Sequence, residues 1–441
     1  MESFQWGVAG AAYQIEGAHD ADGKAPSIWD DFCRKPGNIE DGTSADIACD
    51  FYHRYEEDIE LARAAGFKHF RMSISWPRVM REDGLPNEPG IAFYSSVLDA
   101  LEKANMTPCV TLYHWDLPSS LQTADMPGWM SPKIVDIFVE YATLCFTRFA
   151  SRVPMWITFN EPAVFVFGGY QGGWNAPGIK QSVAEALVAM RHVLLAHAKV
   201  VALYRARFQL GEKTGKIGIT LNTRHYTPVD ASDVAAKGAQ QMLEDRIASW
   251  SDPVLFGDFP SSFKATHAGN LALRLSQSEQ ETLRGSIDFL GINYYTTSGV
   301  EEAGGSSWKI VDLGEASGAS WLRSYPSGLL LLLRWLSGRY PGLDIVITEN
   351  GFCTPANDPE PIKDDVRVRY YQDHTRVVKE AVAEGLPLRG YFAWTLLDNF
   401  EWAGGYKERF GMVHVNFEDE ALARTVKSSY RWWQNFLEQN A

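Results

Sequence analysis

Eight short apolar runs, rich in β-branched and aromatic residues, recur along the 441-residue chain and constrain its fold more than any other feature. They occupy residues 4–13, 69–75, 108–115, 155–160, 217–222, 287–295, 344–348 and 388–394. Segments in which apolar residues return every three or four positions, as in helices, separate these runs. Strands and helices that alternate in this way predict a parallel α/β sheet, and eight units favour closure into a (β/α)₈ barrel.

The segment after Ser131-Pro132 shows the helical pattern clearly, because its apolar residues trace one face over about five turns. Ser131 is the predicted N-cap and Pro132 the predicted first helical residue. We expect further helices over 56–65, 92–105, 183–208 and 366–384. The Gly- and Ser-rich stretch 301–320 is interpreted as a shortened loop. Since the sequence has no Pro- or Ser-rich linker, it predicts one domain over residues 1–441.

Charge and cysteine content argue against several kinds of partner. The formal net charge of −14 disfavours nucleic acids and anionic membranes. The five cysteines lack the spacing of a metal site and are odd in number, which favours a reducing compartment. The N-terminal residues do not resemble a signal peptide, and the apolar run 329–333 is too short to span a bilayer. We expect a cytoplasmic protein without metal or other cofactor.

Polar and aromatic side chains follow the apolar runs where the strands are expected to end. In a (β/α)₈ barrel, the carboxyl ends of the strands form the active-site face. Gln14, His114, Glu161, Asn293 and Glu349 all lie near such ends. Since polar groups bind sugar hydroxyls and aromatic rings cover apolar sugar faces, this pattern favours a carbohydrate site.

Glu161 and Glu349 match the two carboxyl groups that hydrolyse a glycosidic bond. One such group protonates the leaving oxygen, and the other meets the developing oxocarbenium ion. Each glutamate ends a strand-like run and adjoins an asparagine, Asn160 or Asn350. A single glutamate is usually a solvated surface charge, but two at the ends of buried strands are harder to explain in that way.

The motifs around these glutamates resemble the signatures of a known family. Thr158-Phe159-Asn160-Glu161-Pro162 and Ile347-Thr348-Glu349-Asn350-Gly351 are similar to the acid/base and nucleophile motifs of glycoside hydrolase family 1, the β-glucosidase family. Further similar motifs lie at 4–7, 12–17, 70–78, 112–118, 257–260, 291–295 and 391–402. The resemblance implies a (β/α)₈ barrel, with Glu161 as acid/base on strand four and Glu349 as nucleophile on strand seven, and retention of anomeric configuration.

The resemblance also implies roles for the residues around the two glutamates. Arg71 is similar to the family arginine beside the nucleophile, although a structural ion pair stays open, and Tyr295 to the tyrosine that hydrogen-bonds the nucleophile. The implied substrate-binding residues are Gln14, His114, Trp115, Asn160, Asn293, Trp321, Trp394, Glu401, Trp402 and Phe410. For Trp321, an aglycone platform and core packing both stay open.

Glu401-Trp402 bears on the substrate class. Phosphosugar-specific members of the family lack this pair, and a carboxylate here would repel a 6-phosphate. The resemblance therefore implies a retaining β-glucosidase, with β-galactosidase and β-fucosidase side activity, acting on small unphosphorylated β-glycosides or short oligosaccharides. A non-catalytic sugar-binding member and a 6-phospho-β-glycosidase are the alternatives. The aglycone and a homo-oligomeric state stay open.

Overall fold

A closed ring of eight parallel strands forms the centre of the protein in a computed structural model, which describes residues 4–209, 215–305 and 307–440. The strands, β1 to β8, comprise Gln5–Ala9, His69–Ser73, Thr107–Tyr113, Met155–Asn160, Lys216–Pro228, Phe289–Gly304, Asp344–Asn350 and Leu388–Trp394. Each strand pairs with the next, and β8 pairs with β1. The predicted (β/α)₈ barrel is thus confirmed, with one strand in each predicted apolar run.

Helices connect the strands in the expected alternation. The longer helices are Phe51–Ala64, Glu88–Lys103, Ile134–Phe149, Val183–Arg207, Asp233–Leu243, Ser249–Phe256, Pro326–Arg339, Asp365–Ala383 and Ser428–Gln439. Shorter helices, Ala12–Ile15, Ile28–Cys33, Trp76–Val79, Ser261–Thr266 and Gln277–Leu283, lie in the connections. The helices predicted over 56–65 and 92–105 begin earlier, at Phe51 and Glu88. The second of these begins with Glu88-Pro89-Gly90, which is as typical of a turn as of a first helical turn.

The predicted start of the third long helix is wrong by two residues. The helix begins at Ile134, with Lys133 as its N-cap, because Lys133 provides the carbonyl oxygen that accepts the Ile137 N–H at 3.3 Å. Ser131 lies three residues before the start of the helix, and its Oγ accepts the backbone N–H of Lys133 at 3.4 Å. Pro132 therefore lies in the turn that leads into the helix.

The prediction of a loop over 301–320 is wrong for the first half of this stretch. β6 continues to Gly304 and pairs antiparallel with a further strand, Ser307–Asp312. Gly304 and Gly305 have positive φ angles of 103° and 65°, which glycine adopts without steric cost and which permit the chain to reverse. The glycines that suggested an irregular loop are thus the turn of a hairpin.

One described helix, Val183–Arg207, is long and apolar enough by length and composition to cross a membrane. Its most apolar 18-residue window is 67% buried inside the molecule. Leu187, Met190, Leu194 and Val201 lie within the apolar core. The apolar surface of this helix therefore packs mainly against the rest of the protein.

Candidate active site

The predicted site residues converge at the carboxyl ends of the barrel strands. Arg71 lies on β2, Asn160 on β4, Asn293 and Tyr295 on β6, Glu349 on β7, and Trp394 on β8, while Gln14, His114, Trp115, Glu161, Glu401, Trp402 and Phe410 follow strands. Register shifts interrupt the pairing of β4 before Asn160 and of β7 before Glu349. Such irregularities change the direction of side chains and are common beside active sites.

Three non-glycine residues of this face have positive φ angles. These are Trp115 at 79°, Glu161 at 48° and Trp402 at 54°. Such a conformation costs about 1–3 kcal/mol per residue and persists only where surrounding contacts impose it. For Glu161, one such contact is the backbone N–H, which donates to the carbonyl oxygen of Thr220 at 2.8 Å.

Glu349 is buried and both of its carboxylate oxygens accept hydrogen bonds. Its side chain is 5% exposed. Arg71 Nη1 donates to Oε1 at 2.5 Å, and the Tyr295 hydroxyl donates to Oε2 at 2.8 Å. Arginine stays protonated in proteins, so the guanidinium of Arg71 places a permanent positive charge beside this carboxylate. Glu349 is thus held in one orientation in a form suited to nucleophilic attack.

Glu161 has a different environment from Glu349. Burial raises the pKa of Glu161 to about 8, and the nearby charge of Glu349 acts in the same direction. The Asn293 amide, which donates to Glu161 Oε1 at 2.7 Å, and the charge of Arg71 oppose this rise in pKa. Glu161 therefore carries a proton at neutral pH and can act as a general acid.

Arg71 also determines how the neighbouring polar groups are oriented. Its Nη2 donates to Asn160 Oδ1 at 2.7 Å, so Asn160 presents its amide nitrogen to His114 Nε2, 3.0 Å away. Burial lowers the pKa of His114 well below its usual range, and the charge of Arg71 adds to this effect. The neutral ring must then accept at Nε2 and carry its proton on Nδ1, for which the described residues offer no acceptor. This N–H is available to a ligand hydroxyl.

Gln14 and Glu401 form a second polar group at this face. Gln14 Nε2 lies within hydrogen-bonding distance of Asn399 Oδ1, the Phe400 carbonyl oxygen and Glu401 Oε2, at 3.2, 3.0 and 3.2 Å. Burial, followed by the charge of Glu408, raises the pKa of Glu401 well above its usual range. The buried Gln14 Oε1 has no hydrogen-bond partner within the described ranges, so it can accept from a ligand hydroxyl.

Aromatic rings surround the polar groups. The rings of Trp394 and Trp402 lie roughly parallel to that of His114, with centroid distances of 6.3 and 5.9 Å. Trp115 Nε1 donates to the Asn160 carbonyl oxygen at 2.9 Å, and its ring centroid lies 4.4 Å from that of Trp402. Flat, apolar surfaces beside fixed hydrogen-bonding groups suit a pyranose ring.

Trp321 lies farther out than the other predicted aromatic residues. It is 44% exposed, and its ring centroid lies 5.5 Å from that of Tyr295 and 6.4 Å from that of Phe410. Phe410 is buried behind these two rings. The exposed indole thus offers an apolar surface next to the residue that contacts Glu349, whereas Phe410 supports it from behind.

Two buried threonines of this region received no role from the sequence. Thr348 Oγ1 donates to Asn293 Oδ1 at 2.7 Å, and Thr220 Oγ1 donates to Thr348 Oγ1 at 3.2 Å. Thr348 lies inside the motif that carries Glu349, but a threonine in an apolar strand is more often a packing residue. Only the contacts between β5, β6 and β7 show that its hydroxyl belongs to the site.

Comparisons with known proteins agree over the whole chain. The model of the family described as glycosyl hydrolase family 1 matches residues 1–441. β-Glucosidase 4 of rice, Oryza sativa subsp. japonica, is 38% identical over 462 residues, covering 99% of this chain and 94% of the rice protein. β-Glucosidase 2 of Trichoderma reesei in complex with Tris has a TM-score of 0.95 and 37% identity, covering 99% and 98% of the two chains. A mutant rice β-glucosidase in a covalent complex with Glc has a TM-score of 0.94 and 34% identity, each chain being covered to 98%.

Proposed function

Because the chain belongs to glycosyl hydrolase family 1 and is a β-glycosidase, we propose that it hydrolyses terminal, non-reducing β-D-glucosides with retention of configuration. The observation that carries this proposal is the contrast between Glu349, held by Arg71 and Tyr295, and Glu161, kept protonated by its surroundings. Two neighbouring carboxyl groups in opposite protonation states are what a double displacement requires.

In the first step, an oxygen of Glu349 attacks the anomeric carbon while Glu161 donates its proton to the leaving glycosidic oxygen. The bond to the aglycone breaks, and a covalent glycosyl-enzyme forms on Glu349. Arg71 and Tyr295 fix the attacking carboxylate without reorganisation at the moment of reaction. The covalent complex of the rice relative with Glc supports the same intermediate here.

In the second step, Glu161 is ionised and acts as a base. It removes a proton from a water molecule, whose oxygen attacks the anomeric carbon and displaces Glu349. The sugar leaves with its original configuration, and Glu161 regains the proton that it gave up in the first step.

We assign the glycone to the set formed by Gln14, His114, Asn160, Glu401 and Trp402. Glucose is the preferred sugar, with galactosides and fucosides as secondary substrates, and the substrates are small β-glycosides or short oligosaccharides such as cellobiose. Whatever its protonation state, Glu401 offers no positive charge to a 6-phosphate, which disfavours the phosphoglycosidase alternative. The presence of both glutamates disfavours a non-catalytic role.

The decisive experiment compares the stereochemistry of two variants in azide. Glu349→Ala should lose at least about 10³-fold in turnover of an aryl β-glucoside. Azide should restore turnover by attacking in place of the missing carboxylate, and the product should be the inverted α-glucosyl azide. Glu161→Ala, assayed with 2,4-dinitrophenyl β-glucoside, should give the retained β-glucosyl azide.

These products separate the two roles. An α-azide from the Glu161 variant and a β-azide from the Glu349 variant would reverse the assignment. A folded wild-type protein that binds glucose but hydrolyses no aryl β-glycoside would refute the enzymatic proposal. Faster hydrolysis of a glucoside 6-phosphate than of the glucoside would refute the assigned substrate class. Cytoplasmic location and a single domain over residues 1–441 stay predictions.

A further inference from the structure

We propose that Thr348 is a positioning residue for the second step of the reaction. Its hydroxyl fixes the Asn293 amide so that the nitrogen supports Glu161 as a carboxylate. The inference rests on the proposed double displacement and assigns a task to a side chain that touches neither sugar nor water in that mechanism.

The side-chain amide of Asn293 links Thr348 to Glu161. Its Oδ1 accepts from Thr348 Oγ1 at 2.7 Å, and its Nδ2 lies 2.7 Å from Glu161 Oε1 and 3.0 Å from Asn160 Oδ1. The amide is thus held at both ends. With the Thr348 hydroxyl at one end, the nitrogen is directed at Glu161.

The proton of the Thr348 hydroxyl has a defined direction. A threonine hydroxyl has one proton to donate, and its oxygen can also accept. Thr348 Oγ1 accepts from Thr220 Oγ1 at 3.2 Å and therefore gives its own proton to Asn293 Oδ1. Thr220 and Thr348 are both fully buried, so bulk water does not compete for these bonds.

The support of Asn293 matters most when Glu161 is charged. In the first step Glu161 is neutral, and a substrate with an activated leaving group does not need its proton. In the second step Glu161 must be a carboxylate in a buried site, where each charge-assisted hydrogen bond is worth more than a neutral one. Asn293 donates such a bond. A misplaced amide therefore impairs the second step selectively.

Thr348 lies next to the nucleophile, so a test must separate positioning from damage to Glu349. The Thr348 carbonyl oxygen accepts from Arg71 Nη1 at 3.1 Å, and that backbone contact is independent of the side chain. Thr348→Val keeps the branched shape and replaces only the hydroxyl with a methyl group. Thr348→Ser keeps the hydroxyl and removes only a methyl group.

The experiment uses 2,4-dinitrophenyl β-D-glucoside, for which kcat reports the second step and kcat/KM the first. For Thr348→Val we expect kcat to fall about tenfold while kcat/KM stays within about twofold of wild type. KM should fall with kcat, and intact mass spectrometry should show more glycosyl-enzyme at steady state. Thr348→Ser should restore kcat to within about twofold of wild type.

Thr111 provides the matched control. It is a fully buried threonine on β3, and its Oγ1 has no hydrogen-bond partner in the part of the chain that the structure describes. Thr111→Val should change neither kcat nor kcat/KM by more than about twofold, since an unpaired hydroxyl is lost without consequence. Thr348→Ala serves as a second variant should the valine substitution prevent folding, and the same selective loss is expected.

Three outcomes would overturn the proposal. An equal fall in kcat and kcat/KM for the Val and Ala variants would show damage to Glu349, and unchanged kinetics would show that the hydroxyl has no role. A loss of kcat in the Ser variant as large as in the Val variant would show that the packing of the Thr348 side chain matters and its hydroxyl does not. Failure of the wild-type protein to form any glycosyl-enzyme would instead refute the double displacement itself.

Discussion

Glu161 and Glu349 carry the same functional group but occupy opposite environments. Glu349 accepts from a guanidinium and a phenol, whereas burial and the charge of Glu349 raise the pKa of Glu161 to about 8. Because Arg71 contacts both Glu349 and Asn160, one cation orients the nucleophile and, through Asn160, the proton of His114. The site is therefore organised by a few donors whose direction is fixed.

The pKa of Glu161 leads to a prediction on pH. Only the protonated form donates to a poor leaving group, so kcat/KM for such an aryl β-glucoside should fall as pH rises through about 8. Above this value the fall should approach about tenfold per pH unit. Initial rates from pH 5 to 10 would measure it, at substrate concentrations well below KM.

A leaving group that needs no proton provides the control. With 2,4-dinitrophenyl β-glucoside, kcat/KM should depend much less on pH in the same alkaline range. Parallel alkaline losses for both substrates would contradict the acid role of Glu161 and indicate a different titrating group.

At this scale the sequence predicts which residues meet but not which atoms face one another. The motifs around Glu161 and Glu349 predict the two glutamates, whereas Arg71 and Tyr295 follow from the family resemblance of the motifs at 70–78 and 291–295. The structure places these four residues together. The tautomer of His114 and the contact between Thr348 and Asn293 depend on side chains from different strands. No pattern within one segment shows such a contact.

Among the structural elements, the connection after β8 bears most directly on the sugar site. It contains Glu401 and Trp402 and begins near Asp398, a buried carboxylate. Lys427 Nζ donates to Asp398 Oδ1 at 2.8 Å, and the Gly411 N–H donates to the same oxygen at 2.9 Å. Burial alone would raise the pKa of Asp398. The charge of Lys427 and the other groups around Asp398 outweigh this effect and hold the pKa well below its usual range. This ion pair ties the connection to the start of the last helix.

Breaking this ion pair should destabilise the protein strongly. Lys427→Met leaves Asp398 buried without its cation, so we expect the free energy of unfolding to fall by about 3–5 kcal/mol. Urea unfolding followed by tryptophan fluorescence would measure this. The double variant Asp398→Asn, Lys427→Met should lose less free energy of unfolding than the two single variants together, because neither charge of the pair is then left without its partner. Additive losses would contradict a direct coupling.

The sequence predicts some of the strands and helices correctly and misses others. The buried parallel strands appear as apolar runs because both of their faces are covered. The hairpin of β6 with Ser307–Asp312 is missed, since this mostly exposed antiparallel strand mixes polar and apolar residues and so has no continuous apolar run. The start of the helix at Ile134 is also missed, because Ser131-Pro132 fits a cap equally well two residues earlier.

The site requires the closed ring of eight strands. Gln14 follows β1, Arg71 lies on β2, Asn160 on β4, Glu349 on β7, and Glu401 follows β8. A sugar that binds all of these groups contacts the folded state only. Ligand binding and folding should therefore be linked.

This linkage predicts a rise in Tm with glucose concentration. At 100 times its Kd, a ligand specific for the folded state adds about 2.7 kcal/mol to the free energy of unfolding. Differential scanning fluorimetry over a range of glucose concentrations would measure the shift. Mannitol, which cannot form a pyranose ring, serves as control for a general effect of polyols. An identical shift with both compounds would contradict specific binding.

The pairing of β1 with β8 also determines when the barrel can be completed during synthesis. Gln5 pairs with Gly390 and Ala9 with Trp394, so one edge of the first strand has no partner until residues 388–394 have left the ribosome. The other edge can pair with β2 much earlier. A nascent chain therefore carries an open sheet edge until β8 is available, and such edges are where unfinished chains associate with one another. The last strand of the barrel to be synthesised is the one that ends this exposure.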